Sequence, residues 1–135
     1  MRTAVDSSIL LAVFVGSGPY VGPSQRGLQE AIAQGSLIVS EVVWAEVRAH
    51  FPSEAKFRQA METLGITYLA SSAEAASEAG RAWARYRKRG GRRQHLIPDF
   101  LIAAHASIHA DVLLARDRGF SKSYFKKLNV WDPMA

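Results

Sequence analysis

Residues 2–15 read RTAVDSSILLAVFV, and the order of residue types in this stretch sets the fold class. Residues 2–5 can form a short strand, Asp6 follows it, and Ser7 or Ser8 is placed to cap a helix through Ile9–Val15. The same alternation continues downstream. Gly16, Gly18, Pro19, Gly22 and Pro23 predict a loop, Ser24 or Gln25 opens a helix to about Gln34, and Gly35 stops it. Leu37–Val39 reads as a buried strand, and Ser40 caps a helix over Glu41–His50.

Pro52 interrupts, Ser53 caps a helix to about Leu64, and Ile66–Leu69 forms a third strand. Ser72 opens a helix through about Arg87, with Ala76, Ala79, Trp83 and Tyr86 at helical spacing. A basic loop, RKRGGRR at 87–93, precedes a helix over 98–109 with Pro98 in its first turn. Val112–Ala115 is a strand, Ser121 starts a short helix, and Asn129–Trp131 is a final edge strand. Strands alternating with helices predict an α/β fold of three layers, α/β/α, around a central parallel sheet of four or five strands. No repeat or linker divides the sequence, so residues 1–135 are expected to form a single domain.

The chain lacks cysteine, which excludes disulfides and thiolate chemistry. No signal peptide is apparent, and the apolar run Ile9–Val15 is too short to span a bilayer. A cytoplasmic protein with no membrane association is the expectation. The formal net charge is +5 and its distribution is uneven: up to residue 67 there are five Lys and Arg against six Asp and Glu, and beyond it twelve against six. A one-sided positive field suits a polyanion such as nucleic acid or an acidic protein, and equally a surface that only maintains solubility.

Two acids stand where a parallel sheet places its ligands, beyond the carboxyl ends of strands, and a third stands at a helix N-terminus able to face the same crevice. Asp6 follows the first strand, Asp117 follows Val112–Ala115 by two residues, and Asp99 lies in the first turn of a helix. Glu46 lies within the largely apolar VVWAEV, residues 42–47, and either points to solvent or enters a site. Four carboxylates in one crevice repel one another unless a cation neutralises them, and hard oxygen ligands suit Mg²⁺, with Mn²⁺ as an alternative. Such ions activate water and clamp phosphoryl oxygens. Taken singly, each acid is also explained as a turn, cap or solvated helix residue.

Read as segments, these residues carry a resemblance. AVDSSILLAVF, SEVVWAEV, PDFLIAAHA and LLARDRGF resemble, in order and at similar distances, the four acidic segments of PIN-domain proteins. At this length the sequence resembles the VapC-type toxins of toxin–antitoxin pairs. The resemblance implies an endoribonuclease using Mg²⁺ or Mn²⁺, an RNA substrate, a cognate antitoxin that covers the site, a homodimer, and products with 5′-phosphate and 3′-hydroxyl ends. It implies that Asp6, Glu46 and Asp99 are the main catalytic and metal-site acids and that Asp117 completes them. Ser8 matches a small polar position after the first acid. Ala115 departs from the usual Thr or Ser before Arg116, which removes one hydroxyl beside the site.

The basic residues Arg85, Arg87, Lys88, Arg89, Arg92 and Arg93, with Arg118, are candidates to guide an RNA backbone. Arg116 beside Asp117 is a candidate to contact phosphate or pair with a carboxylate. His105 and His109 have metal-ligand spacing, but His105 lies about 240° round the helix from Asp99 and is read as packing. His50 and His95 belong to no recognisable constellation, although His95, beside the basic loop, is a candidate to touch RNA. Trp44, Trp83, Trp131, Phe51, Phe57 and Tyr86 are stacking candidates that more often fill a core. An aspartyl-phosphate phosphatase is disfavoured because position 8 is Ser, and a dinucleotide fold because no Gly-x-Gly-x-x-Gly follows the first strand. The remaining alternative is a non-enzymatic RNA-binding or regulatory protein on the same fold.

Overall fold

Alternating strands and helices close around a five-stranded parallel sheet in the computed structural model, which describes residues 1–90 and 95–134. The elements run β1 (Arg2–Val5), α1 (Ser7–Phe14), α2 (Val21–Gln34), β2 (Ser36–Val39), α3 (Glu41–Arg48) and α4 (Glu54–Thr63). They continue with β3 (Ile66–Tyr68), α5 (Ala73–Lys88), α6 (Ile97–His109), β4 (Val112–Leu114), α7 (Phe120–Tyr124) and β5 (Val130–Trp131). The strand order is β3-β2-β1-β4-β5.

Helices cover both faces of this sheet. In β2 the consecutive residues Leu37, Ile38 and Val39 are all buried, although their side chains alternate between faces. The core joins them to Ile9, Leu10, Leu28, Phe57, Met61, Phe100, Leu113 and Leu114. Helix α5 buries Ala75, Ala79 and Ala82, and α6 against it buries Ala103, Ala104 and Ala106. Small side chains on both helices let the two axes approach closely. Among the described residues no helix is long and apolar enough to cross a membrane.

Serine caps hold where expected at three helices: Ser40 accepts from Val43 N–H, Ser53 from Lys56 N–H and Ser72 from Ala75 N–H. At α1 the cap is Asp6, not Ser7 or Ser8. Helix α2 begins at Val21, so Gly22 and Pro23 lie in its first turn instead of the loop before it. Both residue types are tolerated there, because first-turn N–H groups have no intrahelical partner. Gly35 behind α2 is obligatory: a Cβ there would stand 1.9 Å from the Met1 carbonyl oxygen.

Candidate active site

The chain builds β1, β2 and β3 toward one edge of the sheet and then adds β4 and β5 on the other side of β1. The switch in direction falls between β1 and β4, and a crevice opens there beyond their carboxyl ends. Val5 is in register with Leu114, and the Asp6 N–H donates to the Leu114 carbonyl at 3.0 Å. Asp6 is thereby set beside Ala115–Asp117. Helix α6 runs back antiparallel to the strands, so its first turn, with Asp99, faces the same crevice.

A pocket of about 90 Å³ occupies this point, lined by Asp6, Asp99 and Asp117 with His95, Arg116, Phe120 and Ser121, over Ile102, Leu113 and Ala115. That volume holds roughly three waters, which suits an ion or a single phosphate group. Glu46 is not part of the lining. It stands exposed on α3, near enough for its carboxyl to feel the charges of Asp6 and Asp99.

Each of the three lining acids is tied to donors of its own segment. Asp6 accepts from the Ser8 N–H at 3.3 Å and from the Ser8 hydroxyl. Asp99 accepts from the Leu96 N–H at 2.9 Å. Asp117 accepts from the Ser121 N–H at 2.9 Å and from the Ser121 hydroxyl. All three N–H groups lie at the start of a helix or just ahead of one, where backbone donors lack intrahelical partners and a carboxylate is favoured.

Burial raises the Asp6 carboxyl above its ordinary range; the Ser8 and Ser7 hydrogen bonds only partly offset it, and Asp99 adds repulsion. Glu46 is raised by partial burial as well, opposed by a hydrogen bond with the Ser7 side chain and reinforced by Asp6 and Asp99. Negative charge is thus concentrated here with too little compensation. The donor set is all oxygen, which fits a hard divalent cation. Among the described residues no group of three or more His, Cys, Asp or Glu side chains is close enough, as placed, to hold a metal ion. Convergence on one ion requires side chains to turn from their local donors.

The remaining expected residues divide. Ser8 donates to Asp6 through both its N–H and its hydroxyl. Arg116 lines the pocket and lies over the Tyr20 ring, 4.1 Å from its centroid. Arg118 is exposed one residue beyond Asp117, with φ 53°. At the end of α5, Lys88 and Arg89 are exposed, Arg85 donates to the Tyr124 carbonyl at 3.2 Å, and Arg87 lies over Trp83. This end of α5 adjoins the pocket, since Tyr86 touches His95. Arg92 and Arg93 lie outside the described residues.

Several contacts at the site escaped sequence reasoning. Asp132 receives the N–H of Asp117 at 3.2 Å and of Arg118 at 3.5 Å, bracing the turn. His95 stands with Nδ1 3.7 Å from Asp99 Oδ2 and its ring stacked on Phe120. The only available signals were weak ones: His95 is four residues before Asp99, and Phe120 lies in the same segment as Asp117. Glu41, in the first turn of α3, accepts from the Ser71 N–H and hydroxyl; burial alone would raise its carboxyl, but these bonds hold it below the ordinary value. His105 and His109 do pack: His105 is buried against the Leu69 carbonyl, and His109 accepts from the Ser72 N–H. Phe57 is wholly buried, with Trp44 and Phe51 edge-on to it.

The PIN domain family matches residues 3–126. No curated protein matches the chain. Among solved structures, a chain of VapBC-1 from nontypeable Haemophilus influenzae is 22% identical, with all of both chains covered and a TM-score of 0.70. A chain of VapBC2 from Rickettsia felis, solved bound to a promoter DNA fragment, is 15% identical over 97% of this chain and 98% of that one, with a TM-score of 0.70. FitAcB from Neisseria gonorrhoeae is 18% identical over 98% of both, with a TM-score of 0.69.

Proposed function

Because this chain belongs to the PIN-domain family, we propose that it is a divalent-metal-dependent endoribonuclease and the toxin of a toxin–antitoxin pair. The observation that carries this reading is the meeting of Asp6, Asp99 and Asp117 in one pocket at the switch point of the sheet. With Glu46 at the rim, these acids are the proposed ligands of Mg²⁺ or Mn²⁺. Bound there, such an ion supplies Lewis-acid activation of water and charge stabilisation on phosphate oxygens.

The chain's own groups do the rest. The acids would hold the ion through their carboxylate oxygens. A carboxylate of this cluster is proposed to accept the proton of the attacking water. Arg116, which lines the pocket, is the proposed contact to the phosphate, and the exposed Arg118, Lys88 and Arg89 are the proposed contacts to the RNA backbone. Products carrying 5′-phosphate and 3′-hydroxyl ends follow from attack by water on phosphorus with departure of the 3′-oxygen.

An antitoxin partner is part of the proposal, because relatives of the same fold were solved as VapBC assemblies and, from Klebsiella pneumoniae, as a toxin–antitoxin complex. A homodimer, a single domain over residues 1–135 and a cytoplasmic location complete it. One observation favours the second reading, a non-enzymatic RNA-binding protein: as placed, the carboxylates serve as helix-end acceptors and do not converge.

The test is incubation of purified protein with total RNA, with Mg²⁺ or Mn²⁺ and with EDTA, beside Asp6→Asn and Asp99→Asn, with new 5′ ends mapped. Discrete, metal-dependent cuts that vanish in both variants support the ribonuclease. RNA binding by folded wild type with no cuts favours the second reading.

A further inference from the structure

A pocket with room for roughly three waters accepts an ion and a phosphate group but leaves the flanking nucleobases outside. What stands at its mouth therefore decides which RNA sequence presents its phosphate there. His95 and Phe120 both line the pocket and are both partly exposed. Their rings are nearly parallel, 11° apart, with centroids 3.6 Å apart. Phe120 is edge-on to Phe100, 5.2 Å away and fully buried, so the stack is rooted in the core and His95 is its outer member. Tyr86 is nearly as close to Phe120, at 6.3 Å, as to His95, at 5.8 Å, and perpendicular to both. It therefore stands beside the stack and not on its outer face. About a third of the His95 side chain is exposed (33%), and its Nδ1 lies 3.7 Å from Asp99 Oδ2, so the ring edge stands beside the acidic cluster.

We propose that the outer face of His95, held flat by Phe120, is a stacking platform for a nucleobase next to the scissile phosphate, and that it sets the sequence context of cleavage. A ring already braced by neighbours loses little freedom when a base settles on it. The chemistry selects an unpaired base in a single-stranded segment, since a base within a duplex has both faces covered. This inference deepens the ribonuclease reading and rests on it for the word scissile; base stacking itself is testable without cleavage.

The probe is a heptauridylate carrying one central 2-aminopurine, whose fluorescence is quenched by stacking. It is titrated in Mg²⁺ with full-length Asp6→Asn, in which Asn keeps an acceptor for the α1 cap, and with His95→Ala and His95→Phe added to that background. The expected result is quenching by the parent, about tenfold weaker binding with loss of quenching for His95→Ala, and recovery of both for His95→Phe. End mapping with otherwise wild-type protein should show His95→Ala cutting the same RNA with a flattened preference among sites. Equal quenching by parent and His95→Ala overturns the platform. So does a loss that His95→Phe fails to restore, because the polar contact with Asp99 is then what matters. Cleavage by wild type together with either result leaves the ribonuclease standing and the platform refuted. Quenching that follows the expected pattern with no cleavage by wild type refutes the ribonuclease and keeps the platform.

Discussion

The carboxylate of Asp132 accepts the backbone N–H of Asp117 at 3.2 Å, joining the turn after β4 to the segment after β5. The Asp117 carboxylate is in turn held by Ser121. Removing the brace frees the turn that aims Asp117 at the pocket. Asp132→Ala is expected to lower stability by about 1–2 kcal/mol and cleavage by about tenfold. Asp132→Asn keeps an acceptor oxygen and should retain most of both. Thermal unfolding and initial cleavage rates check this, and an unchanged rate in Asp132→Ala refutes it.

Asp6→Asn separates stability from function. The variant removes a buried carboxylate that is under repulsion from Asp99 and keeps the cap on α1. Measured without divalent metal, it is expected to unfold at a higher temperature than wild type. Metal should stabilise wild type by mass action, by about 2.7 kcal/mol at a hundred times Kd, and the variant far less. Cleavage should fall by about 100-fold or more, at least the upper end of what supporting residues of a metal site contribute.

The acidic cluster also fixes how metal-free stability responds to pH. Asp6 and Glu46 have carboxyls raised in the fold, chiefly by burial. Between the ordinary values and the raised ones the folded state holds more protons than the unfolded chain, so stability falls as pH rises through that window. The cost is complete above it and absent below the ordinary values. His105 has the opposite sign. Burial lowers it from 6.5, so its contribution is full above that pH and lost as pH falls toward the folded value. The difference in melting temperature between Asp6→Asn and wild type isolates the acid. It should favour the variant at neutral pH and shrink toward about pH 4. A difference independent of pH refutes the assignment.

How far the sequence revealed this site depended on whether a residue acts through its own element. Asp6, Asp99 and Asp117 were legible because each lies next to a strand end or a helix start, and strand alternation alone brings such positions to one edge. Glu46 was singled out by resemblance; its helix offered no local sign that it faces Asp6. His95 and Phe120 stack from segments 25 positions apart, and no periodicity links residues across a helix and a strand. Asp132 belongs to the segment after β5, and its partner Asp117 lies 15 positions earlier, beyond the reach of any local rule. Local rules also misjudged the α1 cap, since Asp and Ser share cap chemistry and only the backbone decides which takes the role.

Arg118 adopts a left-handed backbone, φ 53°, just before Gly119 at φ 82°. For a residue with a Cβ that conformation costs about 1–2 kcal/mol, which glycine avoids. Arg118→Gly is therefore expected to leave the fold at least as stable, the gain being reduced by the greater freedom of glycine in the unfolded chain. If Arg118 also contacts RNA phosphates, the same change weakens RNA binding and lessens its salt dependence. Thermal unfolding and binding titrations at two salt concentrations read the two effects separately. Lost stability with unaltered binding refutes both.

The Arg116 guanidinium lies 4.1 Å from the centroid of the Tyr20 ring, at the mouth of the acidic pocket. An exposed contact of this kind contributes about 0.5–1 kcal/mol. It ties the loop between α1 and α2 to the turn carrying Asp117 and limits where Arg116 can point. A phosphate entering the pocket meets a cation already in place. Tyr20→Ala loosens that cation without removing it, so KM for RNA should rise about threefold with kcat nearly unchanged. Arg116→Ala removes the charge itself and should lower kcat/KM by a larger factor. Tyr20→Phe retains the ring face and should behave as wild type. A Tyr20→Ala effect confined to kcat would place Tyr20 in the chemistry instead, and an equal defect in Tyr20→Phe would assign the role to its hydroxyl.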